Sequence, residues 1–106
     1  MVARRGRRHR MRLRVVTCRG SSFTVNVSSG GFCTELMRVL PVGEPVEGLI
    51  RLKGRDASFT GRVAWARAGV PHLNERGRMG VCFVQIETEF ASGLEPREEG
   101  GTAAGA

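Results

Sequence analysis

The sequence predicts an all-β fold, a small six-stranded antiparallel β-barrel. Short runs of alternating or β-branched apolar residues are separated by turn residues at intervals that suit a meander of strands. Before residue 87, no run has the apolar spacing of an amphipathic helix. A chain of 106 residues, 41% of them apolar, has room for one modest core. Closing short strands into a barrel would also hide the edges through which an open sheet pairs with other chains.

Turn residues divide the chain into six predicted strands and one short helical turn. Turns are expected at 19–20, at the glycine pair 30–31, in the loop 41–45, at the polar hairpin 53–56 and in the loop 68–78. The strands are then predicted over 13–18, 21–27, 32–37, 46–52, 57–67 and 79–86, and the helical turn over 88–94.

Alternation along these strands predicts which side chains share a face. One face of the second strand would hold Phe23, Val25 and Val27, and one face of the fifth would hold Phe59, Val63 and Trp65. The sixth strand alternates Val81, Phe83 and Gln85 with Cys82, Val84 and Ile86. Because both of its faces are largely apolar, we expect this strand to be central and well covered.

The charge of the chain is concentrated at its start. Seven of the first fourteen residues are arginine, and the chain has 17 basic and 10 acidic residues in all. Without those seven arginines there are ten of each sign, so the net charge of +7 lies in the first fourteen residues. We expect a flexible basic arm over 1–6, a barrel over 7–88, and a short helical turn with a disordered tail over 89–106. Such an arm is suited to meeting an anion.

Several classes of function lack their sequence signals. There is neither an apolar run long enough to cross a membrane nor the apolar stretch of a secretory signal, so a soluble, cytoplasmic protein without membrane insertion is expected. Cys18, Cys33 and Cys82 are odd in number and lack metal-ligand spacing, which favours reduced thiols packed in strands. Neither histidine has partners spaced for a triad, and no phosphate-binding Gly-Lys-Ser/Thr loop occurs. We assign no catalytic residue, metal site or cofactor.

The residues that favour binding fall in two groups. Arg8 and Arg12 stand four apart where the arm meets the first strand, and the planar fork of arginine suits both phosphate oxygens and the O6/N7 edge of guanine. Asn26 and Ser28 share a strand face by their spacing of two, and Gly31 leaves room that any Cβ would occupy. A mobile arm and a polar scaffold of this kind could close around a nucleotide.

Together these residues resemble a known family. Arg-x-x-x-Arg (Arg8, Arg12) followed by Asn-x-Ser-x-x-Gly (Asn26, Ser28, Gly31) looks like the two defining motifs of the PilZ domain. The likeness covers about residues 7–88 and includes Gly-Arg-Val-Ala-Trp at 61–65 and Met-Gly-Val-Cys-Phe at 79–83. The resemblance implies a six-stranded antiparallel barrel of bacterial origin that binds cyclic di-GMP. It also implies a receptor or adaptor, here a single-domain one, rather than an enzyme.

The resemblance assigns a role to each motif residue. Arg8 and Arg12 would contact the phosphates and the guanine faces, while Asn26, Ser28 and Gly31 would hold the other guanine on the barrel surface. Arg7 stands directly before the motif, and an arginine in this position resembles PilZ proteins that take up a stacked pair of ligand molecules.

Two departures from an unambiguous motif stand in this sequence. The spacing also fits Arg4 with Arg8 and Arg10 with Arg14, but Leu13 and Val15 follow Arg12 as they do in the family. Asn26 replaces the more usual Asp, which removes a negative charge from a site meant for an anion.

Other functions remain open at this level. The arm alone would suit RNA or DNA, although the motifs in combination favour a nucleotide over a nucleic acid. A degenerate PilZ adaptor would bind only protein. Trp65 is expected in the core or at the barrel rim, with base stacking as the alternative. A downstream protein partner is implied, but neither its identity nor the process it serves can be inferred.

Overall fold

Six antiparallel strands close into a barrel in the order β1-β2-β3-β6-β5-β4. The computed structural model describes residues 8–94. Its strands are β1 (Arg14–Thr17), β2 (Gly20–Ser28), β3 (Gly31–Leu36), β4 (Pro45–Leu52), β5 (Arg55–Arg67) and β6 (Gly77–Ile86). β1 pairs with both β2 and β4, which closes the ring. The predicted all-β fold, its strand number and its antiparallel pairing are therefore confirmed.

The connections between the strands are mostly tight. Lys53 and Gly54 join β4 to β5 with positive φ angles of 54° and 80°, the conformation that a two-residue hairpin turn of matching twist requires. Between β5 and β6, the predicted polar loop contains a short 3-10 helix, Pro71–Leu73. After β6, the predicted helical turn is present as α1 (Thr88–Leu94).

The core is filled by apolar side chains from all six strands and from α1. Phe32 and Phe59 meet edge to face, with their ring centroids 5.4 Å apart, and Phe83 contacts both of them. Phe90 of α1 packs against Phe83 at 5.7 Å and is almost fully buried. The helix therefore contributes to the barrel core. At the centre of the aromatic cluster, truncation of Phe32 to alanine would lower the free energy of unfolding by about 3–5 kcal/mol.

A bulge in β2 overturns the predicted alternation of that strand. The register shifts between Thr24, which faces Thr34, and Asn26, which faces Cys33, so Val25 is the extra residue. Beyond the shift Val27 is fully buried, whereas Phe23 before it is 41% exposed. The expectation that Phe23, Val25 and Val27 share one face is wrong, because the inserted residue shifts the side-chain alternation by one.

Two further register shifts, both between β5 and β6, change the outer surface. One lies between Val63 and Trp65, and Trp65 is 43% exposed rather than aligned with Val63 in the core. The other leaves Val84 without a register partner and 64% exposed, while Ile86 packs against the core beside Phe83. The expectation of a strand covered on both faces is therefore wrong, because the outer face of β6 at Cys82 and Val84 is open to solvent.

The three cysteines are free thiols in different surroundings. Cys33 lies in β3 and is buried, as expected for a packed thiol. Cys82 lies in β6 but is exposed, and Cys18 is exposed in the turn between β1 and β2. The expectation of packed strand thiols therefore holds for Cys33 alone.

Over residues 8–94, no helix has both the length and the apolar character that crossing a bilayer requires.

Candidate functional site

The segment that precedes β1 lies along β2. The backbone of His9 exchanges two hydrogen bonds with Val27, at 2.7 and 2.9 Å. Leu13 donates its N–H to the Thr24 hydroxyl at 2.8 Å and accepts the N–H of Thr24 at 2.9 Å. Residues 8–13 are thus held against the barrel, so Arg8 and Arg12 do not lie on a free arm as expected from the sequence.

The two predicted motifs meet at Arg8 and Asn26. Nη1 of Arg8 donates a hydrogen bond of 2.8 Å to Oδ1 of Asn26. The bulge at Val25 makes this contact possible, because it directs Asn26 to the outer surface while Val27 remains inside. One residue of each motif is therefore in direct contact.

A row of register partners extends from Asn26 across four strands. Asn26 faces Cys33, Cys33 faces Gly80, and Gly80 faces Trp65. The indole of Trp65 lies against Gly80, where a methyl group would overlap the ring. The row therefore has a guanidinium and an amide at one end, an exposed aromatic surface at the other, and small side chains between them.

Cys33 forms the neutral floor of this row. Its pKa is raised above the ordinary value because burial disfavours the thiolate, an effect that the guanidinium groups of Arg78 and Arg8 partly oppose. The thiol therefore stays protonated at neutral pH and does not cancel the charge of Arg8.

Arg12 lies one row away from Asn26. Its guanidinium carbon is 4.1 Å from the ring centroid of Phe23, a cation–π contact. Phe23 faces Glu35 on β3, and Glu35 forms an ion pair of 3.1 Å with Arg78 on β6. Phe23, Glu35 and Arg78 thus form a second row of register partners. Because Glu35 is two residues from Cys33 on the same strand, this second row is adjacent to the first on the outer surface.

Ser28 and Gly31 have structural duties at the turn between β2 and β3. The Ser28 hydroxyl accepts a hydrogen bond of 3.1 Å from the N–H of Gly30, and Ser28 is buried. Gly31 does not leave room for a ligand, because a Cβ there would collide with the carbonyl oxygen of Val81 on β6. The close approach of β3 and β6 explains this glycine.

The remaining arginines of the motif region differ in what can be said of them. Arg7 and Arg4 lie outside the described residues. Arg10 and Arg14 are exposed, and Arg14 faces Phe23 across the β1–β2 pair. Since it is Arg8 that contacts Asn26, the geometry favours Arg8 with Arg12 over Arg10 with Arg14.

Sequence reasoning missed the middle of the row. Cys33 was expected to be a packed thiol only, and Gly80 was noted only as part of the family-like run 79–83. Trp65 was expected inside or at the rim because simple alternation aligns it with Val63, and nothing in the sequence marks the register shift that separates them.

A surface concavity of about 900 Å³ lies elsewhere, across β4, β5 and β6. Its lining includes Leu49, Val84 and Ile86 together with the carboxylates of Glu47 and Glu87, and it contains no arginine. Its negative charge disfavours an anionic ligand, for which the row between Arg8 and Trp65 is better suited.

Comparisons with known proteins agree with this fold. Among solved structures, the fold is similar to that of the Bacillus subtilis inhibitor of motility (MotI/DgrA), with a TM-score of 0.74 and 20% sequence identity. The similarity covers 89% of this chain and 48% of that protein, so this chain spans about half of its length. No curated protein matches the sequence. The family model of the PilZ domain matches residues 3–95, and the chain therefore belongs to the PilZ domain family.

Proposed function

We propose that this PilZ domain is a receptor or adaptor domain that binds cyclic di-GMP on the outer surface of its barrel. The single observation that supports this proposal best is the hydrogen bond between Arg8 and Asn26, since it unites the two family motifs at one place. PilZ domains are receptor and adaptor domains rather than enzymes, and we assign this chain no catalytic residue.

The row offers chemistry for both parts of a cyclic dinucleotide. The ligand has two phosphates, and each charge-assisted hydrogen bond from Arg8 or Arg12 would contribute about 1.5–3 kcal/mol. At the other end, a guanine stacked on the exposed indole of Trp65 would add about 1–3 kcal/mol. The indole covers Gly80, so the ligand would pass over the small side chain of Cys33 between the two ends of the row.

Arg12 must turn away from Phe23 to join Arg8. A cation–π contact at an exposed site is worth only about 0.5–1 kcal/mol. A charge-assisted hydrogen bond to phosphate is stronger, so the exchange favours the ligand. Binding would therefore proceed by a side-chain movement of Arg12 on a backbone that is already fixed.

Asn26 acts on the ligand through Arg8 as well as directly. An aspartate at this position would form an ion pair with Arg8 and neutralise part of its charge. The amide holds the guanidinium by a neutral acceptor, so the full positive charge is retained for a phosphate. As the family motif implies, Ser28 would contribute its hydroxyl to the ligand site, and Arg7 would assist in holding a second, stacked ligand molecule.

Isothermal titration with cyclic di-GMP at physiological salt tests the proposal. The wild-type protein is expected to bind with micromolar or tighter affinity, and Arg12→Ala and Arg8→Ala are expected to lose at least about tenfold, or 1.4 kcal/mol. Arg55→Ala is the matched control, since Arg55 is exposed at the start of β5, where it forms an ion pair with Glu89. Absence of binding in a folded sample, or equal loss in all three variants, would contradict the proposal.

In the cell, we place this receptor in the bacterial cytoplasm, where the ligand would change the surface presented to a protein partner. Such a change requires that ligand affinity differ between the two positions of Arg12.

A further inference from the structure

A groove of about 760 Å³ lies beside the row that holds Asn26 and Trp65. Its lining includes four arginines, Arg10, Arg12, Arg76 and Arg78. Among the residues that the structure describes, Arg12 alone is common to the groove and the ligand site.

The positive charge of this groove is largely uncompensated. Within the described part of its lining, Glu35 is the one carboxylate, and it is paired with Arg78. The ion pairs found among residues 8–94 include neither Arg10, Arg12 nor Arg76. Folding therefore creates a local excess of positive charge, because Arg76 lines the same groove as Arg10 and Arg12.

Between the arginines, the groove lining combines aliphatic side chains with the hydroxyl residues Ser21, Ser22 and Thr24. Met11, Val25, Leu36 and Met37 contribute apolar surface, and methionine side chains adjust to partners of differing shape. Phe23 is the aromatic residue in the lining, and the guanidinium of Arg12 stands over its ring. Such a surface accepts leucine-like side chains better than flat nucleobases, which need open aromatic platforms.

We propose that this groove binds an acidic segment of a partner protein in which carboxylates are interspersed with aliphatic side chains. Carboxylates would pair with Arg10, Arg76 and Arg12, whose planar forks suit bidentate contacts. The aliphatic side chains would pack on Met11, Leu36 and Met37. The groove stands on its own geometry and does not require that the row beside it bind cyclic di-GMP.

The test measures fluorescence anisotropy of a labelled peptide of about twelve residues in which glutamates are interspersed with leucines. Wild-type protein is expected to bind it, and Arg76→Glu is expected to reduce its affinity at least about tenfold, since it places a like charge against the peptide. Arg55→Glu, an equal charge change on an exposed arginine outside the groove, is expected to reduce it less than about twofold. A peptide with serine in place of leucine should bind more weakly than the leucine peptide.

Three outcomes would overturn the proposal. These are an unchanged affinity in Arg76→Glu, an equal loss in Arg55→Glu, and tighter Arg76-dependent binding of a single-stranded oligonucleotide of the same length. Calorimetry with cyclic di-GMP on the same Arg76→Glu sample separates this test from that of the ligand site. If Arg76→Glu loses peptide binding but still binds the nucleotide, the groove proposal is supported. If the wild-type protein binds the peptide in an Arg76-dependent way but does not bind the nucleotide, only the receptor function is rejected.

Discussion

The guanidinium of Arg8 donates a hydrogen bond to the side-chain oxygen of Asn26, 18 residues further along the chain. Two backbone hydrogen bonds between the next residues, His9 and Val27, hold the two segments in register. The contact is therefore part of a paired structure, and the guanidinium of Arg8 is oriented before any ligand arrives. Because the long side chain is already ordered, less conformational entropy is lost when a ligand binds.

Removal of the Asn26 amide should weaken nucleotide binding through Arg8. We expect Asn26→Ala to lose about 0.5–1.5 kcal/mol of binding free energy, up to about tenfold in affinity, because Arg8 loses its acceptor. Titration calorimetry measures the loss, and Gln85→Ala, which removes an exposed amide from the far part of β6, is the control. Equal affinities for Asn26→Ala and wild type would show that the orientation of Arg8 is of no consequence.

Gly31→Ala should destabilise the fold itself. The added methyl group would overlap the Val81 carbonyl, and overpacking of this kind costs about 1–3 kcal/mol. Thermal or urea unfolding measures the cost, with the exposed Ser21→Ala expected to stay within about 0.5 kcal/mol of wild type. A variant of wild-type stability that no longer binds the nucleotide would instead assign Gly31 to ligand contact.

Cys33 should react slowly with thiol reagents at neutral pH. Its raised pKa and its burial both lower the supply of accessible thiolate, whereas Cys18 and Cys82 are exposed. We expect alkylation of Cys33 to be at least about tenfold slower than that of the other two cysteines. Mass spectrometry of timed iodoacetamide reactions resolves the three sites, and equal rates would contradict the packing described for β3.

Glu87 should make stability depend on pH in the acid range. Its carboxylate accepts two hydrogen bonds from Ser58, from the N–H at 2.7 Å and the hydroxyl at 2.9 Å, which hold the pKa of Glu87 below its ordinary value. A lowered pKa favours the folded state above the unfolded-state pKa, and this contribution is lost as the pH falls through the folded-state value.

We therefore expect Glu87→Gln to be less stable than wild type near pH 7 and to show a smaller further loss on acidification. Urea unfolding at several pH values tests this expectation. Parallel pH profiles for Glu87→Gln and wild type would contradict it.

The fold could be predicted from sequence more completely than the site. Strand number, turn positions and the final helical turn follow from local apolar patterns and from glycine and proline, which act over a few residues. The faces of Phe23 and Trp65 could not be predicted, since each lies beside a register shift that depends on the partner strand. Arg8 and Asn26 could be identified by their motifs, but their contact depends on that bulge.

The protein has one tryptophan, and its indole lies half-exposed against Gly80 on the row that Arg8 begins. All tryptophan fluorescence of the protein therefore originates beside this site. The unmodified molecule has a built-in optical sensor for whatever comes to rest there, with no second emitter of its kind to mask the signal.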